Sequence, residues 1–423
     1  HSGVVEFEGP LGKGWDHTLN KRLVEVNGAN LSDVQAMFRT AAVGDVAAMD
    51  GTGRADLYLK NRDGSYVAPA GFYTRLVKEP DGTFVERNRD GTVAVYAAAD
   101  VDGLARMTSV ADRNGNQLTL QYDADDRLEI VVDSMGREIE YFYNSSGYLR
   151  EVRDFDGRSV GYSYDPFGSL VSVTTPVVVG TPTHNDFPEG RTESYVYSSG
   201  FADPRLNHNL LSVTAPNEEA VGGPPRLVIS YDVQAGSPHR DRVTAIQWGG
   251  ANATGVEEGG QSSYEYRVLG APPAGDLQTP TFETTYTDPN GNVAVYQTNQ
   301  NGHLVLVVNQ TNRDIRPGEG DFATSYEVNA DGEVVQVVLP EGSSIEYEYS
   351  TNPDRHQQGN LLAITQTADA DRGGDQDELK TTFAYEPIYN QVRTMVDPRG
   401  NDPTDVPPNG GLCSSHWPTL ACQ

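Results

Sequence analysis

At 423 residues the chain is long enough for two or three ordinary domains or for one long repeat array. A hydrophobic share of 37% with 44 Gly and 25 Pro is poor for a compact core, yet 22 Tyr and 12 Phe exclude a disordered chain. A formal charge of −29 repels phosphate backbones and so excludes a nucleic-acid partner, and the strongest apolar run, Leu304 to Val308, is too short to span a bilayer.

What remains is a sheet-rich protein. Its turns consume Gly, Asp and Asn, and its strands need aromatic and β-branched residues. The acidity favours solubility, halotolerance or divalent cation uptake, and a solvated sheet surface is the plain reading of it.

The chain opens His1-Ser2-Gly3-Val4-Val5, without the charged-then-apolar pattern of a secretory leader, so a processed form or an interior piece is expected. Further on, Asp50-Gly51-Thr52-Gly53-Arg54-Ala55-Asp56 spaces oxygen ligands around glycines, as calcium loops do. Asp50, Thr52 and Asp56 are the candidate ligands, and calcium is the one cofactor this chain suggests. Thr52 and Arg54 stand where acidic ligands are usual, which favours a plain hairpin turn.

The decisive feature lies between Met107 and Thr175. Met107, Leu128, Leu149 and Leu170 recur every 21 residues, as do Val110, Val131, Val152 and Val173. Asp112, Asp133 and Asp154 keep the same period. So do Gly115, Gly136 and Gly157, and Tyr122, Tyr143 and Tyr164. A fixed period at five positions means an array of identical supersecondary units.

One unit reads as a β-branched strand from Arg127 to Asp133, then a turn closed by Asp133 and Gly136. A strand with Ile139, Tyr141 and Tyr143 on one face follows, and then a return turn at Asn144 to Gly147. Leu128, Val131, Tyr141, Tyr143, Leu149, Val152, Tyr162 and Tyr164 are the expected repeat core. Asp112, Gly115, Asp133, Gly136, Asp154 and Gly157 are the expected turn residues. A lone hairpin is marginal in water, so neighbours must stack and bury the Tyr/Ile face.

Degenerate copies continue through Tyr195-Val196-Tyr197, Tyr264-Glu265-Tyr266, Tyr347-Glu348-Tyr349 and Phe383-Ala384-Tyr385. Asp288-Pro289-Asn290-Gly291 and Asp397-Pro398-Arg399-Gly400 read as the same turn with Pro at its second position. Polar, Gly/Pro-rich insertions at residues 176–191, 249–260 and 368–378 read as surface loops. In the tail, Cys413 and Cys422 are expected to close a small disulfide loop in an extracellular protein.

The Leu-x-x-Val-x-Asp-x-x-Gly pattern followed by Tyr-x-Tyr-Asp, clearest at Tyr122-Asp123 and Tyr162-Ser163-Tyr164-Asp165, resembles the YD repeat of RHS (rearrangement hot spot) proteins. Gly12-Lys13-Gly14-Trp15 with Leu19 and Arg22-Leu23 resembles the entry segment of such arrays. Asp81-Gly82-Thr83-Phe84 and Asp90-Gly91-Thr92-Val93 look like its leading hairpins.

The resemblance covers residues from about Gly12 to Gly400. It implies an all-β, antiparallel hairpin array coiling into a spiral shell or partial cocoon. In such proteins the shell encloses a toxin, as in bacterial toxin complexes, or serves adhesion, as in teneurin-like surface proteins. The family's closing segment, with its Asp-Pro autoprotease signature and following toxin, is not visible. Three parts follow from the pattern: an entry segment with leading hairpins over 1–100, the array over 101–402 and a Gly/Pro/Ser-rich tail over 403–423.

Chemistry-bearing constellations are weighed against sheet architecture. Glu138/Glu140, Asp154/Asp156, Glu346/Glu348 and Asp369/Asp371 are paired carboxylates of the sort glycosidases use. Alternating acids on a strand are more simply its solvated side. His17, His184, His208, His239, His303, His356 and His416 lack metal-ligand spacing, and the Gly-x-Ser-x-Gly elbow, phosphate loop and dinucleotide fingerprint are absent.

The expectation is therefore a non-enzymatic extracellular or cell-surface shell, of bacterial type. Its partners would be further repeats of a longer polypeptide, copies of itself, or a toxin cargo. The alternative is an adhesin that binds glycans or neighbouring cells through its inserted loops.

Overall fold

The computed structural model describes residues 7–250, 259–369 and 378–401. Among these the architecture is antiparallel β almost throughout, laid down mostly as successive hairpins in which a strand pairs with the next in sequence, while Arg22–Glu25 also pairs with Leu104–Ala111. The chain divides into two compact units. The first comprises His1–Val67, Leu76–Glu86 and Val93–Ser263; the second comprises Ala68–Arg75, Arg87–Thr92 and Tyr264–Gln423.

The 21-residue unit folds as its sequence implies. Strand Leu128–Asp133 pairs with Glu138–Tyr143 through Val131 opposite Ile139. Glu138–Tyr143 in turn pairs with Leu149–Arg153 through Tyr141 opposite Val152. At the turn, the Gly136 amide donates to the Asp133 carbonyl, and the Asp133 amide donates to that of Arg137. Gly136 sits at φ +77°, the left-handed conformation that a three-residue hairpin loop requires and that a Cβ would strain.

Burial grades the expected core. Leu128, Val131 and Leu149 are buried, whereas Tyr141, Tyr143, Val152, Tyr162 and Tyr164 are half-buried. The tyrosines carry a polar tip that must reach a partner, so their rings lie at the margin of the apolar layer.

One expected turn is different. Asp288-Pro289-Asn290-Gly291 is a hairpin turn of the repeat type, but Asp397 instead opens a helical turn, Pro398–Asn401. Asp397 Oδ1 accepts the Gly400 amide at 3.0 Å, and the Asn401 side-chain amide donates to the Lys380 and Val396 carbonyls. Proline at the first helical position supplies a helical φ where no N–H is needed, so the Asp-Pro-x-Gly pattern serves either structure.

A short helix, Leu31–Met37, was not legible within the expected entry segment. Its Val34 is buried with Val26, Ala41 and Ala47, flanked by Phe38, Met49 and Leu57. Among the described residues no helix is long and apolar enough to cross a membrane, which leaves β-barrel spans unaddressed. Cys413 and Cys422 lie outside the described residues.

Candidate functional site

Three side-chain devices recur or converge in the structure. The first is a tyrosine staple. The Tyr122 hydroxyl donates to the Met107 carbonyl at 2.7 Å, Tyr143 to Leu128 at 2.8 Å and Tyr164 to Leu149 at 2.6 Å. Tyr231 repeats the bond to Leu210, and in the second unit Tyr349 bonds Val334 and Tyr385 bonds Leu361.

Each of these tyrosines follows a break in strand register, as between Phe142 and Tyr143. The ladder to the preceding strand ends at Ile130 opposite Glu140, and beyond it the phenol supplies a donor to the Leu128 carbonyl. Burial pushes the Tyr122 hydroxyl up to about 12, so it remains a donor at any ordinary pH.

The second device closes the turns. Asp133 Oδ1 accepts the amides of Met135 and Arg137 while Oδ2 accepts Arg137 Nε at 2.7 Å. Asp154 does the same with Asp156 and Arg158, and Asp112 with Asn114 and Asn116. The backbone amide and guanidinium of Arg137 hold the Asp133 carboxyl below the usual carboxylate range, and the Asn116 side chain does so for Asp112. The donor one position after the turn glycine is a repeat residue that sequence reasoning missed. Its signal was present as Arg137 and Arg158 at one spacing of 21.

The third device is the entry segment, which lies across the first unit's repeats. Leu149 donates its amide to the Pro10 carbonyl at 2.7 Å, and Lys13 donates its amide to Gly168 at 2.9 Å. Trp15 Nε1 donates to the Tyr197 hydroxyl at 2.8 Å and the Tyr148 hydroxyl donates to Glu8. His17 stacks on Tyr141 with ring centroids 6.0 Å apart. Burial lowers the His17 pKa, and its Nε2 has no hydrogen-bond partner among the described residues. Trp15 joins the buried cluster of Leu170, Tyr195 and Leu210. Gly12, at φ +83°, passes so close to the Gly168 carbonyl that any Cβ would collide with it.

Between this segment and the array is a cavity of about 400 Å³. Its lining includes Lys21, Arg22, Arg106, Arg127, Tyr122, Tyr143 and Tyr148, with Glu8 and Asp126 as its acids. Lys21 is paired at 2.6 Å with Glu86, a buried carboxylate that also accepts the Tyr96 hydroxyl at 2.6 Å.

In the second unit the segment Ala68–Arg75 is locked onto the repeat turns. Arg355 grips Asp331 in a fork at 3.0 and 2.6 Å and donates to the Phe72 and Pro69 carbonyls. The Tyr73 hydroxyl donates to Glu333, and its ring lies beneath the guanidinium groups of Arg89 and Arg355, at 3.7 and 4.5 Å. Nothing in the sequence marked these residues, because the partners are some 260 positions apart.

The remaining sequence candidates fall as follows. Asp50 accepts the Thr52 amide and hydroxyl and the Arg54 amide, while Arg54 pairs with Asp56 at 3.0 Å. These oxygens are engaged within the turn, and no cluster of three metal-ligating side chains occurs among the described residues. Glu140 faces Arg153 at 3.8 Å, Asp154 and Asp156 serve a repeat turn, and Glu346 and Glu348 are exposed. Ser169 Oγ lies 2.8 Å from His208 Nδ1, a pair the sequence did not single out, but the serine is only 1% exposed inside a turn.

No family model and no curated protein matches the chain. Among solved structures, it is similar to TcdB2-TccC3-Cdc42 at 15% identity and a TM-score of 0.41, covering 84% of this chain and 18% of that one. TcdB2-TccC3 without its hypervariable C-terminal region gives 15% identity and a TM-score of 0.42 over the same shares. The Photorhabdus luminescens Tc holotoxin pore gives 14% and 0.41, again covering 84% and 18%. The chain thus spans under a fifth of the length of these structures.

Proposed function

We propose that the chain is a non-enzymatic structural β-shell of the RHS/YD-repeat type, working outside the cell to enclose a cargo such as a toxin or to assemble with further repeats or copies of itself. One observation carries this reading. The recurrent polar side chains of the repeat are spent on the array itself: tyrosine hydroxyls on the opening carbonyls of their own hairpins, and aspartates on their own turns. Groups so engaged hold a wall together and are not offered to a substrate.

Light scattering with electron microscopy of the purified chain tests the reading. Discrete hollow particles, or tubes and fibres of stacked copies, are the expected result. A monodisperse, solid monomer would count against a shell, and a specific turnover abolished by one point substitution would end the non-enzymatic part.

A second reading, a surface adhesin acting through inserted loops on neighbouring cells or glycans, is favoured by the insertion at residues 176–191. That loop is ordered by its own Val178–Phe187 bridge and by Asp186 capping Gly180 and Thr181, yet it exposes Val177, Val178 and Val179. Deleting it should abolish cell binding if the adhesin reading holds, and leave particle shape unchanged.

A further inference from the structure

The return turns close on residues whose amides donate to the carbonyl of the turn's first residue. In the first unit Asp126 bonds Asp123 in this way, Gly168 bonds Asp165, His208 bonds Ser198 and Asp241 bonds Asp232. In the second, Gly332 bonds Asn329 and Gly359 bonds Ser350. All of these closing residues have positive φ. Glycine adopts that conformation without strain, whereas a side chain there persists only where its surroundings compensate. Among the described residues five non-glycine residues have positive φ, and four of them, Asp126, His208, Asp241 and Asn390, stand at the close of a return turn.

What compensates is one kind of contact. The residue just before a strand's first large hydrophobic residue reaches the closing residue of the next return turn. Arg106, before Met107, donates from Nε to the Asp126 carbonyl at 3.0 Å and holds a terminal nitrogen 3.6 Å from its carboxylate. Ser169, before Leu170, has its hydroxyl 2.8 Å from His208 Nδ1. Asn209, before Leu210, donates its side-chain amide to Asp241. Asn360, before Leu361, exchanges two bonds of 2.6 Å with Asn390. Ser169, Asn209, Asn360 and Asn390 are all buried, so a lost partner is not replaced freely by water.

Where the closing residue is glycine, the same contact is made by bulk. A Cβ on Gly168 would collide with the Tyr148 hydroxyl, one on Gly332 with the His303 ring, and one on Gly359 with Glu333 as well as Tyr73. Tyr148, His303 and Glu333 stand before Leu149, Leu304 and Val334, at the position that Ser169 and Asn209 hold elsewhere. Gly147 has open space around it, and there the corresponding Arg127 is drawn back onto Asp123 and over the Tyr143 ring. A polar closing residue thus faces a group that bonds it, and a crowded glycine faces a side chain that leaves no room for another.

We propose that these two positions specify each hairpin's neighbour. The residue before the strand and the residue closing the next return turn form a matched pair that fixes which hairpin follows which. Backbone ladders between similar strands do not make that choice, because their hydrogen bonds carry no sequence. The pairs also hold the longer return turns at 198–208 and 232–241 closed in place. The device acts within each unit and is independent of whether the array encloses anything.

The test is thermal and urea unfolding of the whole chain. Asp241→Gly removes a strained side chain, so without the pair it would raise the melting temperature; a fall of about 2 °C is expected instead. Asn209→Ala should fall similarly, and the double variant by less than the two losses together, as coupled neighbours do. A second arm moves a pair. Gly332→Asn alone should destabilise by meeting His303, and adding His303→Asn should recover at least half of the loss by recreating the pairing of Asn360 with Asn390. An Asp241→Gly variant as stable as the parent or more so would overturn the proposal. So would a double variant at 303 and 332 no better than Gly332→Asn, including one in which neither folds.

Discussion

Single side chains in this protein act on the backbone of their own repeat, and that makes their removal readable. Tyr143→Phe keeps the ring and removes one donor, leaving the Leu128 carbonyl without its phenol. The expected loss is about 1 kcal/mol, measured by urea unfolding; an unchanged midpoint would mean that water replaces the staple without penalty.

His17 behaves differently. Desolvation outweighs the pull of Asp16, Arg22 adds to it, and the folded-state pKa is depressed below the usual 6.5. The unfolded chain then binds the proton more readily, so stability is intact above about pH 6.5 and falls as pH drops below it. The turn aspartates, also depressed, give up their contribution only as pH falls below about 4. A melting profile should therefore bend twice on acidification, and His17→Phe should abolish the upper bend alone.

At the scale of elements, the hairpin is what sequence periodicity reveals. Strand, turn glycine and capping aspartate all recur at one spacing, so Asp133, Gly136 and Leu128 could be assigned from the chain alone. The entry segment is another matter. Its docking rests on the Pro10 and Lys13 backbone, on Trp15 and on His17, each touching the array at a single place, and a contact made once has no period to betray it. The second unit's lock was hidden for the same reason, since Tyr73 and Arg355 find one another only through folding.

Pro398 shows the converse limit: an Asp-Pro-x-Gly pattern that signals a turn in one place begins a helical turn in another, where the Asn401 side chain ties it to the adjacent strand. Gly12→Ala tests the docking. The added methyl meets the Gly168 carbonyl, so residues 7–22 should become cleavable in limited proteolysis while the far-UV spectrum stays that of a sheet. If the segment stays protected, its docking does not depend on that close approach.

At the scale of the molecule, an array of neighbours ought to be modular, since each repeat touches only the next and stability sums along the line. Removing residues 128–148 takes out one period of 21 and leaves Arg127 joined to Leu149, with Leu149 in the place of Leu128 and Tyr164 stapling Leu149 as before. On pairing alone the shortened chain should fold. The entry segment breaks this equivalence. It is anchored at Tyr141 through His17, at Tyr148 through Glu8, at Leu149 through Pro10 and at Gly168 through Lys13, so it measures the array at fixed intervals. Deleting one period removes two anchors and brings the strand carrying Arg106 one repeat nearer to Gly168 in the ladder. The deletion should thus retain its sheet by circular dichroism, lose protection of residues 7–22 to protease, and unfold with a shallower urea dependence as cooperativity across repeats falls. Retained protection with an unchanged slope would show instead that the segment follows whichever repeats lie beneath it. The first unit would then be a plain sum of its hairpins, without the entry segment coupling them.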